Sequence, residues 1–375
     1  MTARRAFYEF FAGGGMARVG LGPGWRCVFA NDMDPAKCAA YRDNFGDGDL
    51  VEGDVHGLSA PDLPGRADLA WASFPCQDLS LAGARKGFGG ARSAAFWGFH
   101  KLMAVLRDEG RAPRTLAIEN VAGFATSRGG ADLAAALSAL AAIGYRYDVR
   151  LIDAAGFLPQ SRPRLFVLAW DGAVEAPRGE PGAGRGPTLD RALAGLPAEA
   201  AAGLHPLDLP PTPTANAGLE TIVEPGAPVF DRERTEALLA LLGPKQAAKL
   251  DRARAEAARA AAPVYGAAFR RMRGGVQRAE IRFDRAGCLR TPAGGSSKQF
   301  LVIARPDGEV DARWLTGREA ARLMGLPDDY RLPRSESAAL RLAGDGVAVP
   351  VVRWLAERAL EPLLVRSLEP AAAAE

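Results

Sequence analysis

Cysteine and histidine are scarce in this 375-residue sequence, which has four cysteines and three histidines. The cysteines lie far apart, with no Cys-x-x-Cys pair and no neighbouring histidine, which argues against a disulfide framework and a zinc site. The same scarcity indicates a reducing compartment. No apolar run approaches membrane-spanning length, and Glu9 follows the first arginines too soon for a signal peptide. We therefore expect a cytoplasmic protein without a membrane anchor or a metal.

Net charge is low, at +3, but the basic residues are unevenly distributed. Residues 79–107 contain five basic side chains and no acidic one, and residues 270–305 contain nine basic side chains against two acidic ones. A single charge run is usually a solvated face. Two separate basic stretches favour a polyanion as partner.

Over the first 170 residues, short apolar runs alternate with helical stretches, which predicts an α/β sheet built from βαβ units. The predicted strands are residues 6–11, 26–30, 68–72, 115–118, 145–152 and 165–170. Residues 171–213 contain eight prolines and are interpreted as a linker into a second unit. Further helices are predicted at residues 231–262, after a capping box at 316–319, and at 347–364.

One cysteine, Cys76, lies in the segment Phe-Pro-Cys-Gln directly after a predicted strand. Open α/β sheets expose reactive groups outside the carboxyl ends of their strands. The preceding Pro75 keeps this part of the chain out of a regular ladder. An isolated cysteine is more often a small buried apolar residue, but this position makes Cys76 a candidate nucleophile.

A glycine-rich turn, Phe11 to Gly15, ends the first predicted strand. It does not fit the dinucleotide-binding fingerprint, because Arg18 occupies the position of the third glycine. Asp32 closes the second strand, where an acid can accept hydrogen bonds from ribose hydroxyls, and Asp54 can accept from an adenine amino group. Each acid alone is more typical of a loop-end cap or a solvated charge. Together with the turn, they predict an adenosine-bearing cofactor.

Further polar side chains stand at the ends of other predicted strands. Glu119 follows the fourth predicted strand, and Arg162 and Arg164 precede the last. A carboxylate can hold a protonated base edge, and a guanidinium can hold a carbonyl oxygen. An ordinary Glu–Arg ion pair is the alternative, but it does not explain why these polar groups cluster at strand ends.

In this order and spacing, the segments resemble the motif set of the DNA cytosine-5 methyltransferases. The resemblance covers residues 6 to about 355, except roughly 172–285. It rests on the segments Phe11–Gly15, Asn31-Asp32, Gly53–Val55, Phe74–Gln77, Glu119–Val121, Gln160–Arg164, Leu315–Pro327 and Gly344–Val347.

This resemblance implies a doubly wound, mostly parallel, Rossmann-like methyltransferase fold with a smaller target-recognition domain. Residues 1–172 and 330–375 would form the catalytic domain, and residues 173–329 the target-recognition region. The activity implied is methyl transfer from S-adenosylmethionine to carbon-5 of a cytosine flipped out of a specific duplex DNA sequence, through a covalent intermediate with Cys76.

Roles for individual residues follow from the same resemblance. Glu119 would hold the ring-nitrogen and amino edge of the base, Arg164 the carbonyl oxygen, and Arg162 would organise the cysteine loop. A mobile loop at 82–92 would contact DNA through Arg85, Lys86 and Arg92. The cofactor pocket would be lined by Phe11, Gly13, Gly15, Asp32, Met33, Asp54, Val55, Pro75 and Asp345.

At four positions the sequence departs from the family pattern. Met16 and Ser73 stand where glycine is frequent or usual, Met33 replaces a larger side chain that packs on adenine, and Asp345 stands where asparagine usually lies. None of these positions is a reacting group.

Double-stranded DNA is the implied partner of a monomeric, bacterial, nucleoid-associated enzyme, and a cognate restriction endonuclease is compatible with the resemblance. An RNA cytosine methyltransferase would share the chemistry, but the Cys-Phe-Thr signature of its tRNA-directed members is missing from the variable region. A catalytically silent DNA-binding regulator would not need Cys76, Glu119 and Arg164 together. A zinc-dependent deaminase is excluded, because Leu79 stands where its second cysteine is required and the sequence has no His-x-Glu.

Overall fold

The computed structural model describes residues 4–74, 94–180, 184–214, 217–291 and 298–366. The chain divides into two compact units. The first comprises Met1–Ile152, Pro163–Thr212 and Val349–Glu375, and the second comprises Asp153–Arg162 and Pro213–Ala348. These boundaries differ from the predicted ones at 172/173 and 329/330. The function assigned to each region stays a prediction.

A seven-stranded sheet with the order β3-β2-β1-β4-β5-β7-β6 forms the first unit. The pairs β1–β2, β1–β4, β2–β3 and β4–β5 are parallel, and β7 is antiparallel to β5. The predicted doubly wound, mostly parallel sheet is therefore confirmed, whereas the three-residue β3 was not predicted. The strands are β1 (Arg5–Phe10), β2 (Trp25–Asp32), β3 (Leu50–Glu52), β4 (Leu69–Ala72), β5 (Thr115–Val121), β6 (Tyr145–Asp153) and β7 (Pro163–Asp171).

The central strands of this sheet are almost continuously buried. All four residues of β4 are buried, as are the first six residues of β5. Strands of this kind are covered on both faces, which is the arrangement of doubly wound folds. The α-helices of the first unit before Thr212 are α1 (Met16–Leu21), α2 (Pro35–Phe45), α3 (Ala94–Asp108), α4 (Ala131–Ala142), α5 (Pro187–Ala194) and α6 (Ala198–Gly203).

The proline-rich stretch interpreted as a linker instead forms α5 and α6 and is anchored to the edge of the sheet. The buried carboxylate of Asp148 in β6 is the anchor. It accepts hydrogen bonds from Arg150 Nε at 2.6 Å, Arg185 Nη2 at 2.5 Å and the backbone N–H of Leu207 at 3.0 Å. Two arginines and one carboxylate thus share a site from which water is excluded.

An antiparallel sheet with the order β11-β10-β8-β9 forms the centre of the second unit. Its strands are β8 (Val264–Arg273), β9 (Val276–Arg282), β10 (Gln299–Ala304) and β11 (Val310–Trp314). Its helices are α7 (Arg232–Leu239), α8 (Pro244–Ala260), α9 (Gly317–Leu323) and α10 (Glu336–Asp345). The predicted helix at 231–262 is two helices, because Pro244 has no N–H to continue the first and suits the first turn of the second.

The predicted capping box at the start of α9 is confirmed. The Thr316 hydroxyl accepts from the backbone N–H of Glu319 at 3.2 Å, and the Glu319 carboxylate accepts from the N–H of Thr316 at 3.0 Å. The buried Glu319 also pairs with the guanidinium of Arg313, at 2.7 Å. The box therefore joins the start of α9 to β11.

The predicted C-terminal helix is also present, as α11 (Val349–Leu355), a π-helical turn (Ala356–Leu360) and α12 (Glu361–Arg366). It packs against α1, where a Cβ on Gly20 would lie 2.5 Å from Cβ of Val352. Trp25 Nε1 donates to Glu361 Oε1 at 2.9 Å. In the described part of the chain, no helix combines the length and apolar character needed to cross a membrane.

We expect Asp148→Asn to lower the free energy of unfolding by about 3–5 kcal/mol, because it leaves two buried guanidinium groups without a carboxylate. Urea denaturation followed by circular dichroism measures this change. Asp47→Asn is the matched control, since the Asp47 side chain is 74% exposed and pairs with Arg42 at the surface, where such pairs contribute about 1 kcal/mol or less. Equal effects of the two substitutions would contradict the anchoring role of Asp148.

Candidate active site

A single row of paired residues crosses the first unit's sheet near the carboxyl ends of its parallel strands. Phe10 pairs with both Asn31 and Ala72, Asn31 pairs with Val51, and Ala72 pairs with Ile118. Parallel strands leave a sheet at the same edge. Within three residues after this row come the glycine turn and Asp32, Asp54, Phe74 and Glu119. The sheet therefore brings these segments to one edge.

The glycine turn after β1 has left-handed backbone at Phe11, Gly13 and Gly15, with φ of 56°, 56° and 74°. A side chain on Gly15 would also collide with Phe45, whose ring lies 2.3 Å from the Cβ position. Among the described residues other than its chain neighbours, none has an atom within 4 Å of the Cβ position of Gly13, so a ligand can approach the backbone there.

Asp32, at the end of β2, ties the glycine turn to the sheet. It is 7% exposed. Its Oδ2 accepts from the backbone N–H of Gly13 at 2.8 Å, and its Oδ1 accepts from the N–H of Asp34 at 2.8 Å. A carboxylate has about four lone-pair sites, so Asp32 can also accept from a ligand hydroxyl. Its exposed neighbour Met33 presents an apolar surface at the same point of the edge.

Asn31 positions the second predicted cofactor acid, a role that the sequence analysis did not assign. Its buried Nδ2 donates to the carbonyl oxygens of Val51 and Gly53, each at 2.9 Å. Asp54 follows and accepts from the N–H of His56 at 3.0 Å, while Val55 is buried. This role could have been predicted from an amide side chain at the end of an apolar strand, since a buried amide needs hydrogen-bond partners.

Glu119 and Arg164 form an ion pair, with Arg164 Nε 3.0 Å from Glu119 Oε1. The side chains are 8% and 14% exposed. The register explains the contact: Glu119 pairs with Phe166 across β5 and β7, so Arg164 is its diagonal neighbour on the same face. A carboxylate and a guanidinium are thus held together at the edge of the sheet, where one can accept and the other donate to a planar ligand.

Phe74, the last described residue before Pro75, is held through both its backbone and its side chain. Asn120 Nδ2 donates to the carbonyl oxygen of Phe74 at 3.2 Å. The buried Phe74 ring lies between the rings of Phe11, Phe96 and Phe124, with centroid distances of 6.5, 5.7 and 5.8 Å. The chain therefore enters the candidate nucleophile segment from a fixed point. Five predicted site residues lie outside the described residues: Pro75, Cys76, Arg85, Lys86 and Arg92.

Two predicted site residues belong to the second unit. Arg162 is 2% exposed, and its guanidinium donates to the carbonyl oxygens of Leu289 at 3.0 Å, Gly344 at 2.9 Å and Gly346 at 2.6 Å. Its observed role is therefore to hold backbone segments of that unit. Asp345 accepts from the Thr291 hydroxyl and lies 3.9 Å from Arg341 Nε. Its predicted place in a cofactor pocket stays a prediction.

The other cysteines were interpreted as structural, and their environments agree with that role. Burial raises the pKa of both Cys27 and Cys38 to about 12, so at neutral pH these side chains are thiols rather than nucleophilic thiolates. Cys288 is half-buried and donates to the carbonyl oxygen of Leu289 at 3.4 Å.

Glu9 in β1 lies two residues before Phe11, and its sequence position did not predict that it belongs to this part of the sheet edge. It is 1% exposed, its Oε1 accepts from the N–H of Arg18 at 3.3 Å, and its Oε2 has no hydrogen-bond partner among the described residues. Burial raises the pKa of Glu9 to about 8, which a hydrogen bond and the charge of Arg18 only partly offset. The acid beneath the glycine turn is therefore protonated at neutral pH.

Comparison with known proteins agrees with this geometry. Residues 6–179 and 276–361 match the family model for C-5 cytosine-specific DNA methylases. The chain is 27% identical to the type II methyltransferase M.NlaX of Neisseria lactamica over 93% of this chain and 94% of that protein. It is also 27% identical to the type II methyltransferase M.DsaV of Dactylococcopsis salina, over 94% and 85% of the two chains.

Solved structures share the fold. The Dnmt2 methyltransferase of S. pombe superposes with a TM-score of 0.58 at 18% identity, covering 96% of this chain and 99% of that one. A Dnmt2 mutant of Spodoptera frugiperda gives a TM-score of 0.61 at 18% identity, with the same coverage.

We expect Glu9 to make the protein less stable as pH rises from about 4.5 to about 8. Folded Glu9 keeps its proton through this range while unfolded Glu9 releases it, so the free energy of unfolding falls by at most ~1.4 kcal/mol per pH unit and then levels off. Urea denaturation of wild-type protein and Glu9→Gln across pH 5–9 measures the effect. The variant should lose this component of the pH dependence and gain stability relative to wild type above pH 8. Parallel curves for the two proteins would contradict the assignment.

Proposed function

The chain belongs to the C-5 cytosine-specific DNA methylase family, and we propose that it transfers a methyl group from S-adenosylmethionine to carbon-5 of a cytosine flipped out of duplex DNA. The observation that carries the proposal is the buried Glu119–Arg164 pair at the carboxyl edge of the sheet. Glu119 is adjacent in sequence to Asn120, whose side chain donates to the carbonyl oxygen of Phe74. Phe74 in turn lies two residues before Cys76.

The proposed cofactor site is the edge formed by the glycine turn and the ends of β2 and β3. The open space at Gly13 admits a ligand close to the backbone, and Asp32 keeps unused lone pairs that suit ribose hydroxyls. Exposed Asp54 suits the adenine amino group, and exposed Met33 offers an apolar surface to the ring. These residues fit S-adenosylmethionine, which when bound supplies an electrophilic methyl group. The assignments of Phe11, Gly15, Val55, Pro75 and Asp345 to this site rest on the family resemblance.

The proposed base site is the Glu119–Arg164 pair. Glu119 can hold the ring-nitrogen and amino edge of cytosine, and Arg164 can donate to the carbonyl oxygen. Because Glu119 is buried, its interaction with the charge that develops on the base is little screened by water. The ion pair holds both side chains in place before the base arrives.

Cys76 is the proposed nucleophile. Its thiolate adds to carbon-6 of cytosine, which makes carbon-5 electron-rich enough to accept the methyl group. Loss of the carbon-5 proton and departure of the thiolate from carbon-6 then restore the aromatic ring. The target carbon is inaccessible inside a duplex, so the base has to leave the stack.

Double-stranded DNA is the proposed substrate, with Arg85, Lys86 and Arg92, in the sequence after Cys76, as its contacts. A cognate restriction endonuclease, a monomeric state and association with the nucleoid stay predictions. The type II methyltransferases that this chain resembles motivate the first of these.

DNA with 5-fluorocytosine at the target position tests the nucleophile. Fluorine cannot leave carbon-5 as a proton does, so wild-type protein with S-adenosylmethionine should form a covalent complex that survives denaturing electrophoresis. Cys76→Ala should form none. Cys27→Ala and Cys38→Ala are the matched controls, because both of these thiols are buried and have raised pKa values, and both variants should still be trapped. A denaturation-resistant band with Cys76→Ala would overturn the mechanism.

Glu119→Gln should lower the rate of methyl transfer by roughly 10²–10⁴-fold, the usual contribution of a positioned acid or base. Binding of S-adenosylmethionine should stay within about twofold of wild type, since the cofactor residues lie at other strands. Single-turnover rates and equilibrium cofactor binding separate the two effects. Glu109→Gln, an exposed acid paired with Arg111, should leave both unchanged. Weakened cofactor binding with an intact single-turnover rate at saturating cofactor would show that Glu119 has a different role.

A further inference from the structure

A cavity in the second unit is lined by residues to which the proposed reaction gives no role. It has a volume of about 480 Å³, which falls within the range of small-ligand sites. Apolar side chains form much of its lining, with three cationic residues among them. The residues that matter here are Phe230, Trp314, Leu289, Leu315, Arg234, Arg290 and Lys298.

Aromatic rings form one wall of this cavity. Trp314 stacks on Phe300, with ring centroids 4.1 Å apart and planes inclined by 22°. Phe230 meets the edge of Trp314 at 5.8 Å. Because the buried Phe300 supports Trp314 from β10, the wall is a fixed platform rather than a mobile side chain.

Cations surround the platform. The Arg234 guanidinium lies 3.8 Å from the ring centroid of Phe230, and Lys298 Nζ lies 5.6 Å from that of Trp314. Arg234 and Arg290 are exposed, so both can reach a ligand. In the described chain, no carboxylate forms a salt bridge with Arg234, Arg290 or Lys298. Glu336, an acid in the lining, is engaged at the start of α9, where its Oε2 accepts from the N–H of Gly317 at 2.6 Å.

We propose that this cavity binds an unpaired nucleotide of the DNA substrate other than the target cytosine. Its base would stack against Arg234 and the aromatic wall, and its phosphates would contact Arg290 and Lys298. A stacking platform with uncompensated cations is the combination that binds single-stranded nucleic acid with little regard to sequence. The identity of the partner as DNA rests on the proposed function.

Binding to a fluorescent oligothymidylate tests the proposal, because this probe contains no cytosine and cannot be methylated. Wild-type protein should bind it, and Arg234→Gln should weaken binding by about tenfold, the loss expected for one stacked base. Arg290→Gln and Lys298→Gln should each reduce the slope of log affinity against log salt concentration by about 0.7, one phosphate contact each.

Arg232→Gln is the matched control. Arg232 lies on the same helix as Arg234, but its side chain is 86% exposed and pairs with Glu236 at 2.8 Å. It should bind the probe within twofold of wild type. Methylation of cytosine-containing duplex DNA is measured separately, so a failure of the proposed function is distinguishable from a failure of this site.

Wild-type affinity for oligothymidylate in Arg234→Gln, together with an unchanged salt slope in Arg290→Gln, would overturn the proposal. Equal competition by polyglutamate and by unlabelled oligothymidylate of the same charge would also overturn the proposal. The cavity would then bind any polyanion through charge alone, without stacking of a base on the aromatic wall.

Discussion

Parallel strand pairing at one row of residues is the constraint on which the candidate active site depends. Phe10, Asn31, Ala72 and Ile118 lie in register, so the chain leaves four strands at one edge of the sheet. Segments separated by up to about a hundred residues in sequence meet there because of strand pairing, without a separate contact between each pair of segments. The same register, continued through antiparallel β7, brings Arg164 beside Glu119.

Several buried acids among the described residues are balanced by an arginine, whereas the buried Glu9 of β1 is kept neutral. Asp148 is matched by Arg150 and Arg185, Glu319 by Arg313, and Glu119 by Arg164. Each pair offsets a desolvation cost of several kcal/mol. Glu9 Oε2 has no hydrogen-bond partner among the described residues, and the raised pKa of Glu9 keeps it neutral instead. Protonation and ion pairing are thus two ways in which this protein avoids an isolated buried charge.

Polar side chains that donate hydrogen bonds to backbone carbonyl oxygens are the part of the site that was hardest to predict from sequence. Asn31 and Asn120 stand beside Asp32 and Glu119 in the same motifs, yet their work is to hold the carbonyl oxygens of Gly53 and Phe74. Arg162 similarly holds three carbonyl oxygens of the second unit. Hydrogen bonds of this kind join residues far apart in sequence, and no local spacing encodes them.

Periodicity and turn chemistry in the sequence determined the central strands, the capping box of α9 and the C-terminal helix, because continuous apolar runs and Thr-x-x-Glu are local signals. They also placed Glu119 and Asp32 at strand ends. Tertiary structure alone decided the boundaries of the two units, the anchoring of the proline-rich segment by Asp148, and the separation of α7 from α8. It also decided the burial of Glu9 and the platform of Trp314, since burial and stacking depend on packing between strands that the sequence does not place side by side.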